Sequence, residues 1–183
     1  TAVIPVAGNQ VTSDVAKIFR TPLSHAEDIK VKYACALRQM VSMEESIEVP
    51  SVGGRPARSM SRHTLSEVVE PRYHELFELI QEELRECGLE DQIAAGYVFT
   101  GGTSKMEGVV EFAEEGFQMP VRIAKPLEVE GLKEYVNDPT YATVVGLLHY
   151  GLQAADNEES KKKSTESMTG MLSRLSAWFK GEF

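Results

Sequence analysis

Gly101-Gly102 stands between an apolar run, Ile93–Phe99, and a segment that opens a helix. Two successive residues without a Cβ leave bare backbone against which a flat ring or a phosphate can lie, and a helix start beside them offers unpaired N–H groups. The same spacing also makes an ordinary tight turn, and it is neither a P-loop nor a G-x-G-x-x-G fingerprint. Glu27 and Lys30 lie one helical turn apart, an acceptor for sugar hydroxyls and a cation for the face of a purine on one side of a helix. Their plainer reading is a capping glutamate with its ion-pair partner. Arg55, Arg58, Arg62 and Arg72 gather in one stretch of an otherwise acidic body; they suit an acidic peptide or a neighbouring subunit, or else form a solvated face.

A fourth candidate is the segment 168–183. Met168, Met171, Leu172, Leu175, Trp178, Phe179 and Phe183 recur at helical spacing, with Ser173, Arg174, Ser176 and Lys180 largely opposite. That pattern suits a helix lying in a bilayer interface, with Trp178 at headgroup level and Arg174 and Lys180 toward anionic lipid. A polar linker, 153–167, detaches the segment from the body, which favours a membrane helix over a core or partner-docking one. The Lys161–Lys163 run adds roughly 1 kcal/mol per charge near an anionic surface. One such helix binds reversibly, so firm attachment needs several copies in a polymer.

The elements that must position these residues follow from the patterning. With 183 residues, 42% hydrophobic and 26% charged, the chain holds one domain or one with a small appendage, and no apolar run approaches the ~18 residues of a membrane span. Cys35 and Cys87 lie 52 positions apart with no CxxC, which argues against a disulfide scaffold or a zinc site and suits a reducing compartment. A net charge of −9, from 19 basic and 28 acidic residues, argues against nucleic-acid binding. Residues 161–183 carry +3 of that balance and residues 1–160 carry −12, an acidic body with a basic tail.

Ala2–Val6 reads as an opening strand with no Met or turn before it, so the chain is expected to be the C-terminal piece of something longer. A helix is predicted from beyond the Gly8-Asn9 break to about Arg20. Capping boxes at Ser24–Glu27, Thr64–Glu67 and Ser104–Glu107 predict three more helices: one continuing through Ile29, Tyr33 and Leu37, a long one that Pro71 should kink or divide, and one ending near Gly116. Ser46–Pro50 and Arg58–Arg62 read as strands around a glycine-rich hairpin loop, and Ile93–Phe99 and Val121–Ala124 as two more. Asp138-Pro139 supplies a cap and first-turn proline for a helix Thr140–Leu152. The sum is an α/β domain in which the hairpin and long helix form an α+β subregion.

In order along the chain, Gly8-Asn9, Ala26-Glu27-Asp28-Ile29-Lys30, Tyr97-Val98-Phe99-Thr100-Gly101-Gly102 and Ala142-Thr143-Val144-Val145-Gly146 resemble the second half of an actin-superfamily ATPase. More closely, Ile4–Asp14, Glu48–Pro56, Glu70-Pro71-Arg72-Tyr73 and Val145–Gly151 resemble the FtsA family of bacterial actin-like cell-division proteins, over essentially the whole chain. The resemblance implies an actin-like (ribonuclease H-like) fold: subdomain 2A in 1–45 and 91–152, a 2B-like hairpin and long helix in 46–90, a flexible linker in 153–167 and a membrane-targeting helix in 168–183. It implies ATP as ligand, with adenine on the backbone of Gly101 and Gly102, Glu27 and Lys30 bracketing ribose and base, Gly8 and Asn9 near the same cleft, and Ala142 and Gly146 packing a connecting helix.

The family's phosphate hairpins, its acidic residues for Mg2+ and its self-association subdomain belong to an N-terminal half that this sequence lacks, so the chain alone should bind ATP weakly and hydrolyse none. Implied partners are the FtsZ C-terminal tail at Arg72, neighbouring subunits of a filament at Arg58 with Arg62 nearby, anionic lipids and other division proteins. The implied role is to tether FtsZ filaments to the cytoplasmic face of the inner membrane at the division site and to help assemble the division ring. Alternatives are half of an actin-fold metabolic kinase or a pilus-assembly relative; the tail and Glu70-Pro71-Arg72 separate them from the first reading.

Overall fold

The computed structural model describes residues 1–51, 53, 55–127 and 137–155. Val11, Val15 and Phe19 fall four apart and form one buried stripe of helix α1, Gly8–Phe19. Gln10 closes its start, accepting the Ala7 N–H at 3.0 Å and donating to the Pro5 carbonyl at 2.7 Å. Arg20 ends it in the left-handed conformation, φ 48°, and Pro22 follows. Helix α2, Leu23–Tyr33, packs on α1 and buries Ala26 and Ile29.

Strands β1, Ser46–Val49, and β2, Arg58–Ser61, form an antiparallel hairpin with Ile47 opposite Met60. Helix α3, Arg62–Glu86, is 25 residues long, about 37 Å at 1.5 Å per residue. Leu65, Val69, Tyr73 and Phe77 bury one side of it. Strand β3, Tyr97–Phe99, and strand β4, Val121–Ile123, are parallel neighbours joined by α4, Val109–Phe117, with Tyr97 facing Val121 in register. Gly96 makes that pairing possible: its φ is +84°, and a Cβ there would lie 2.1 Å from the Pro120 carbonyl oxygen.

Phe77 sits among Phe112, Phe117 and Phe99 at centroid distances of 5.4, 5.1 and 6.0 Å, which joins α3 to α4 and β3. Three-residue turns of 3-10 helix at Arg38–Met40, Glu90–Gln92 and Pro139–Tyr141, and a four-residue one at Gly102–Lys105, complete the connections, and residues 142–155 form helix α5. The buried residues of α1 to α4, β1 and β4 make one contiguous core. Both cysteines are free, Cys35 buried and Cys87 exposed.

Several expectations are corrected. Ala2–Val6 is no strand: Pro5 withholds an amide, no strand lies beside the run among the described residues, and Val3 is exposed. Gly8 and Asn9 do not break the pattern but open α1. The Ile93–Phe99 strand shrinks to three residues because Gly96 turns the backbone before it.

None of the three capping boxes forms as read. The helices begin at Leu23, Arg62 and Val109, after Pro22, Ser61 and Gly108, and no side chain caps them. Leu37 lies past the end of α2, and α3 runs through Pro71 as one helix, the proline lying on its exposed side. Helix α5 continues through residue 155, past the predicted start of the linker. The rest of that linker, 156–167, and the amphipathic segment 168–183 lie outside the described residues.

Candidate functional site

Lys30 Nζ donates to the Gly8 carbonyl at 3.2 Å, to Thr12 Oγ1 at 2.9 Å and to Glu27 Oε2 at 2.7 Å. Three donors meet three acceptors, so protein alone saturates an ammonium whose side chain is 11% exposed. Thr12 extends the network: its hydroxyl accepts from Lys30 and donates to Glu27, a stronger acceptor than the Gly8 carbonyl that lies 3.0 Å away. Burial alone would raise the Glu27 carboxyl, but hydrogen bonds from Lys30 and Thr12 and the Lys30 charge outweigh it and hold the group below its ordinary value. Glu27 Oε1 has no partner among the described residues and the side chain is half exposed, leaving one carboxylate oxygen to accept from a hydroxyl.

The Gly101-Gly102 turn is held from three sides. Gly101, at φ 89° and ψ 171°, occupies a region open to glycine alone at little cost. Its N–H donates to the Pro139 carbonyl at 3.0 Å, and its carbonyl accepts the Ser104 hydroxyl at 2.7 Å. A methyl group built on Gly101 would meet nothing within 4 Å, which is open space over bare backbone; on Gly102 it would touch Thr140 at 3.7 Å. Tyr73 donates its hydroxyl to the Thr103 carbonyl at 3.0 Å. Asp138 caps the next turn through the Thr140 N–H at 2.9 Å and pairs with Lys105 at 2.6 Å; those contacts, Lys105 first, hold its carboxyl at about 2.

Gly8 joins the two halves. A methyl group there would lie 3.0 Å from Thr103 Oγ1 and 3.3 Å from Lys30 Nζ, so this buried glycine is where α1 meets both the cation of α2 and the turn. The structure therefore brings Gly8, Glu27, Lys30, Gly101 and Gly102 together. Asn9 is exposed in the first turn of α1, and its side chain makes no hydrogen bond among the described residues. Gly146 is exposed on α5 with open space around it, and Ala142 is half-buried. Sequence reasoning passed over Thr12, Tyr73, Thr103 and Lys105. The one signal available was position: Thr12 follows Gly8 by one helical turn, and Thr103 and Lys105 follow the glycine pair.

Three of the four arginines are engaged. Arg58 Nη2 donates to the Phe19 carbonyl at the end of α1. Arg62 donates to the Tyr33 carbonyl and to Glu45, each at 2.7 Å, and to Glu107, which ties the start of α3 to three other segments. Arg72 pairs with Asp14 of α1 and with Glu75 at 2.6 Å. Arg55 is exposed. Arg72 borders a cleft of about 370 Å³ between α1 and α3, lined also by Asp14, Ile18, Glu67, Val68, Pro71 and Glu75.

A family model described as "Cell division protein FtsA" matches residues 1–146. Cell division protein FtsA of Pseudomonas aeruginosa is 54% identical over 189 residues, covering 100% of this chain and 45% of the relative. The protein of that name from Escherichia coli K12 is 49% identical over 192 residues, covering 100% of this chain and 46% of the relative, and that from Neisseria meningitidis is 39% identical over 188 residues, covering 100% and 45%. The chain thus spans slightly under half the length of these relatives. Crystal structures of MreB 5 of Spiroplasma citri superpose with TM-scores of 0.68, bound to AMPPNP, and 0.65, bound to ADP, at 20% identity. They cover 86% and 85% of this chain and 47% of each MreB chain. At that identity the likeness concerns the fold alone.

The Lys105–Asp138 pair makes a prediction about acid. A carboxyl depressed to about 2 adds stability that is full above its ordinary value of 3.8 and is lost as pH falls through about 2. Lys105→Met should raise the Asp138 midpoint and move that loss to higher pH. In a carboxyl NMR titration, a midpoint that stayed at about 2 would remove Lys105 as the cause.

Proposed function

Because the chain belongs to the FtsA family of cell division proteins and has an actin-like α/β fold, we propose that it is part of an ATP-binding protein that tethers FtsZ filaments to the cytoplasmic face of the inner membrane at the division site. The observation that carries the nucleotide part is the meeting of Gly8, Lys30 and Thr103, a residue of the turn that the bare backbone of Gly101 opens. Adenine lies on Gly101 and Gly102, where no Cβ holds it off. Glu27 Oε1 accepts from the ribose hydroxyls. Lys30, its three donors already engaged, contributes positive charge rather than a hydrogen bond. Phosphate and Mg2+ contacts are assigned to the part of the relatives' length that this chain does not span.

The cleft beside Arg72 is assigned to the FtsZ tail, with Ile18, Val68 and Pro71 as apolar anchors and Arg72 as the group that meets a peptide carboxylate. Exposed Arg58 is assigned to a subunit contact in a filament, with Arg62, four residues on, as a further residue of that surface. The membrane part rests on the apolar stripe Met171, Leu172, Leu175, Trp178 and Phe179 with Arg174 and Lys180 opposite. The overall work is mechanical coupling, and no catalytic residue is assigned.

Each part has its own test. Titration with a fluorescent ATP analogue should give weak binding that Lys30→Met lowers about tenfold; an unaltered curve would take Lys30 out of the site. Arg72→Gln is a cleaner probe of the cleft than a glutamate, which would set a third carboxylate against Asp14 and Glu75. It should weaken an FtsZ tail peptide about tenfold by anisotropy, and equal affinity would exclude Arg72. In flotation with anionic vesicles, the full chain should float while a chain cut after Asp156 and Trp178→Glu should not. If all three float alike, the segment 168–183 is not the anchor.

A further inference from the structure

Helix α3 takes two neighbouring residues to two different places. Tyr73, 2% exposed, donates its hydroxyl to the Thr103 carbonyl at 3.0 Å, inside the Gly102–Lys105 turn. Arg72, one residue earlier, grips Asp14 and Glu75 at the edge of the cleft between α1 and α3. The Tyr73 ring packs edge-on to Phe77 at 6.0 Å in the core, so its hydrogen bond ties the turn to the body of α3. Burial pushes its phenol above the ordinary range, and it remains a neutral donor at physiological pH. The carbonyl it holds belongs to Thr103, the residue whose hydroxyl packs on Gly8 and which directly follows the Gly101-Gly102 pair.

We infer that Tyr73 is a positioning residue for the Gly101–Ser104 turn and that, through Arg72, α3 couples occupancy of that turn to the cleft beside it. The inference rests on the nucleotide reading above and adds a physical link between its two sites. A ligand pressed against Gly101 and Gly102 bears on the turn, and the turn is tied to α3 by this side-chain hydrogen bond. A helix transmits a small displacement as a rigid body to the guanidinium one residue away. The coupling is reciprocal: whatever factor a cleft ligand changes in nucleotide affinity, the nucleotide changes in the affinity of the cleft ligand.

Amide NMR of the full chain titrated with ATP separates the possibilities, with the Arg72 side-chain Nε–H signal as reporter of the cleft. In the native chain ATP should shift the Gly101–Ser104 amides and the Arg72 signal together. Tyr73→Phe, which keeps the ring, should weaken ATP about fivefold and abolish the Arg72 response while the turn amides still respond. If Tyr73→Phe binds ATP as the native chain does and Arg72 still responds, the inference falls and the nucleotide reading stands. If ATP moves no turn amide in the native chain, the nucleotide reading falls and takes the inference with it. Arg72→Gln leaves Tyr73 in place and keeps the test open should Tyr73→Phe fail to fold: it should perturb the Thr103 and Ser104 amides in the free chain. Unperturbed amides there would overturn the coupling.

Discussion

Burial of Leu65, Val69, Tyr73 and Phe77 along one side of α3 is the contact on which the other elements are assembled. Apolar burial at about 25 cal/mol per Å² supplies the drive but no register. Register comes from the polar residues that flank the stripe, each of which must find a hydrogen-bond partner once it leaves water. Arg62 reaches Tyr33, Glu45 and Glu107; Glu70 accepts the Arg38 N–H at 2.7 Å; Arg72 reaches Asp14; Gln81 donates to the Gly116 carbonyl at 3.3 Å. The Glu70-Pro71-Arg72 triplet thus points its two charges at different neighbours, the 38–40 turn and α1.

The same rule builds the site. An ammonium with an 11% exposed side chain is tolerable only with all three donors paired, and the acceptors for Lys30 come from both helices it joins. Pairing it fixes α1 against α2, and with them the position of Gly8. Gly8 in turn has no side chain to keep α1 away from Thr103. The site is therefore a by-product of neutralising one buried cation beside a glycine, and its free chemistry is what the pairing leaves over: one oxygen of Glu27 and the open backbone of Gly101.

Features set by neighbours along the chain were legible in the sequence. Asp138-Pro139 caps and opens its turn as read, the hairpin pairs Ser46–Val49 with Arg58–Ser61, and α1 ends before Thr21-Pro22. The S-x-x-E boxes misled because the helices begin elsewhere: Ser24 and Thr64 lie inside helices that start at Leu23 and Arg62, and Ser104 lies in the 3-10 turn ahead of α4. Two of the glutamates pair elsewhere, Glu27 with Lys30 and Thr12, and Glu107 with Arg62. The Arg62–Glu107 pair spans 45 positions, and spacing along the chain does not reveal it. The glycine pair and Glu27 with Lys30 were legible as separate motifs, but the residues that join them, Thr12, Thr103 and Tyr73, are ordinary core and turn residues by type.

Charge around Arg72 constrains how the proposed peptide would be recognised. The cleft holds one guanidinium among the carboxylates of Asp14, Glu67 and Glu75, on a chain of net charge −9. An acidic peptide gains nothing from long-range attraction to such a surface, because the summed field there is negative. It gains only on contact, when Arg72 exchanges Asp14 or Glu75 for a peptide carboxylate and Ile18, Val68 and Pro71 are covered. Exchange of one ion pair for another is nearly neutral in energy, so affinity comes from the apolar anchors and Arg72 decides which peptide is accepted. A surface of this kind selects at the release step rather than the encounter, and a weak single contact becomes firm attachment only where many copies line a filament.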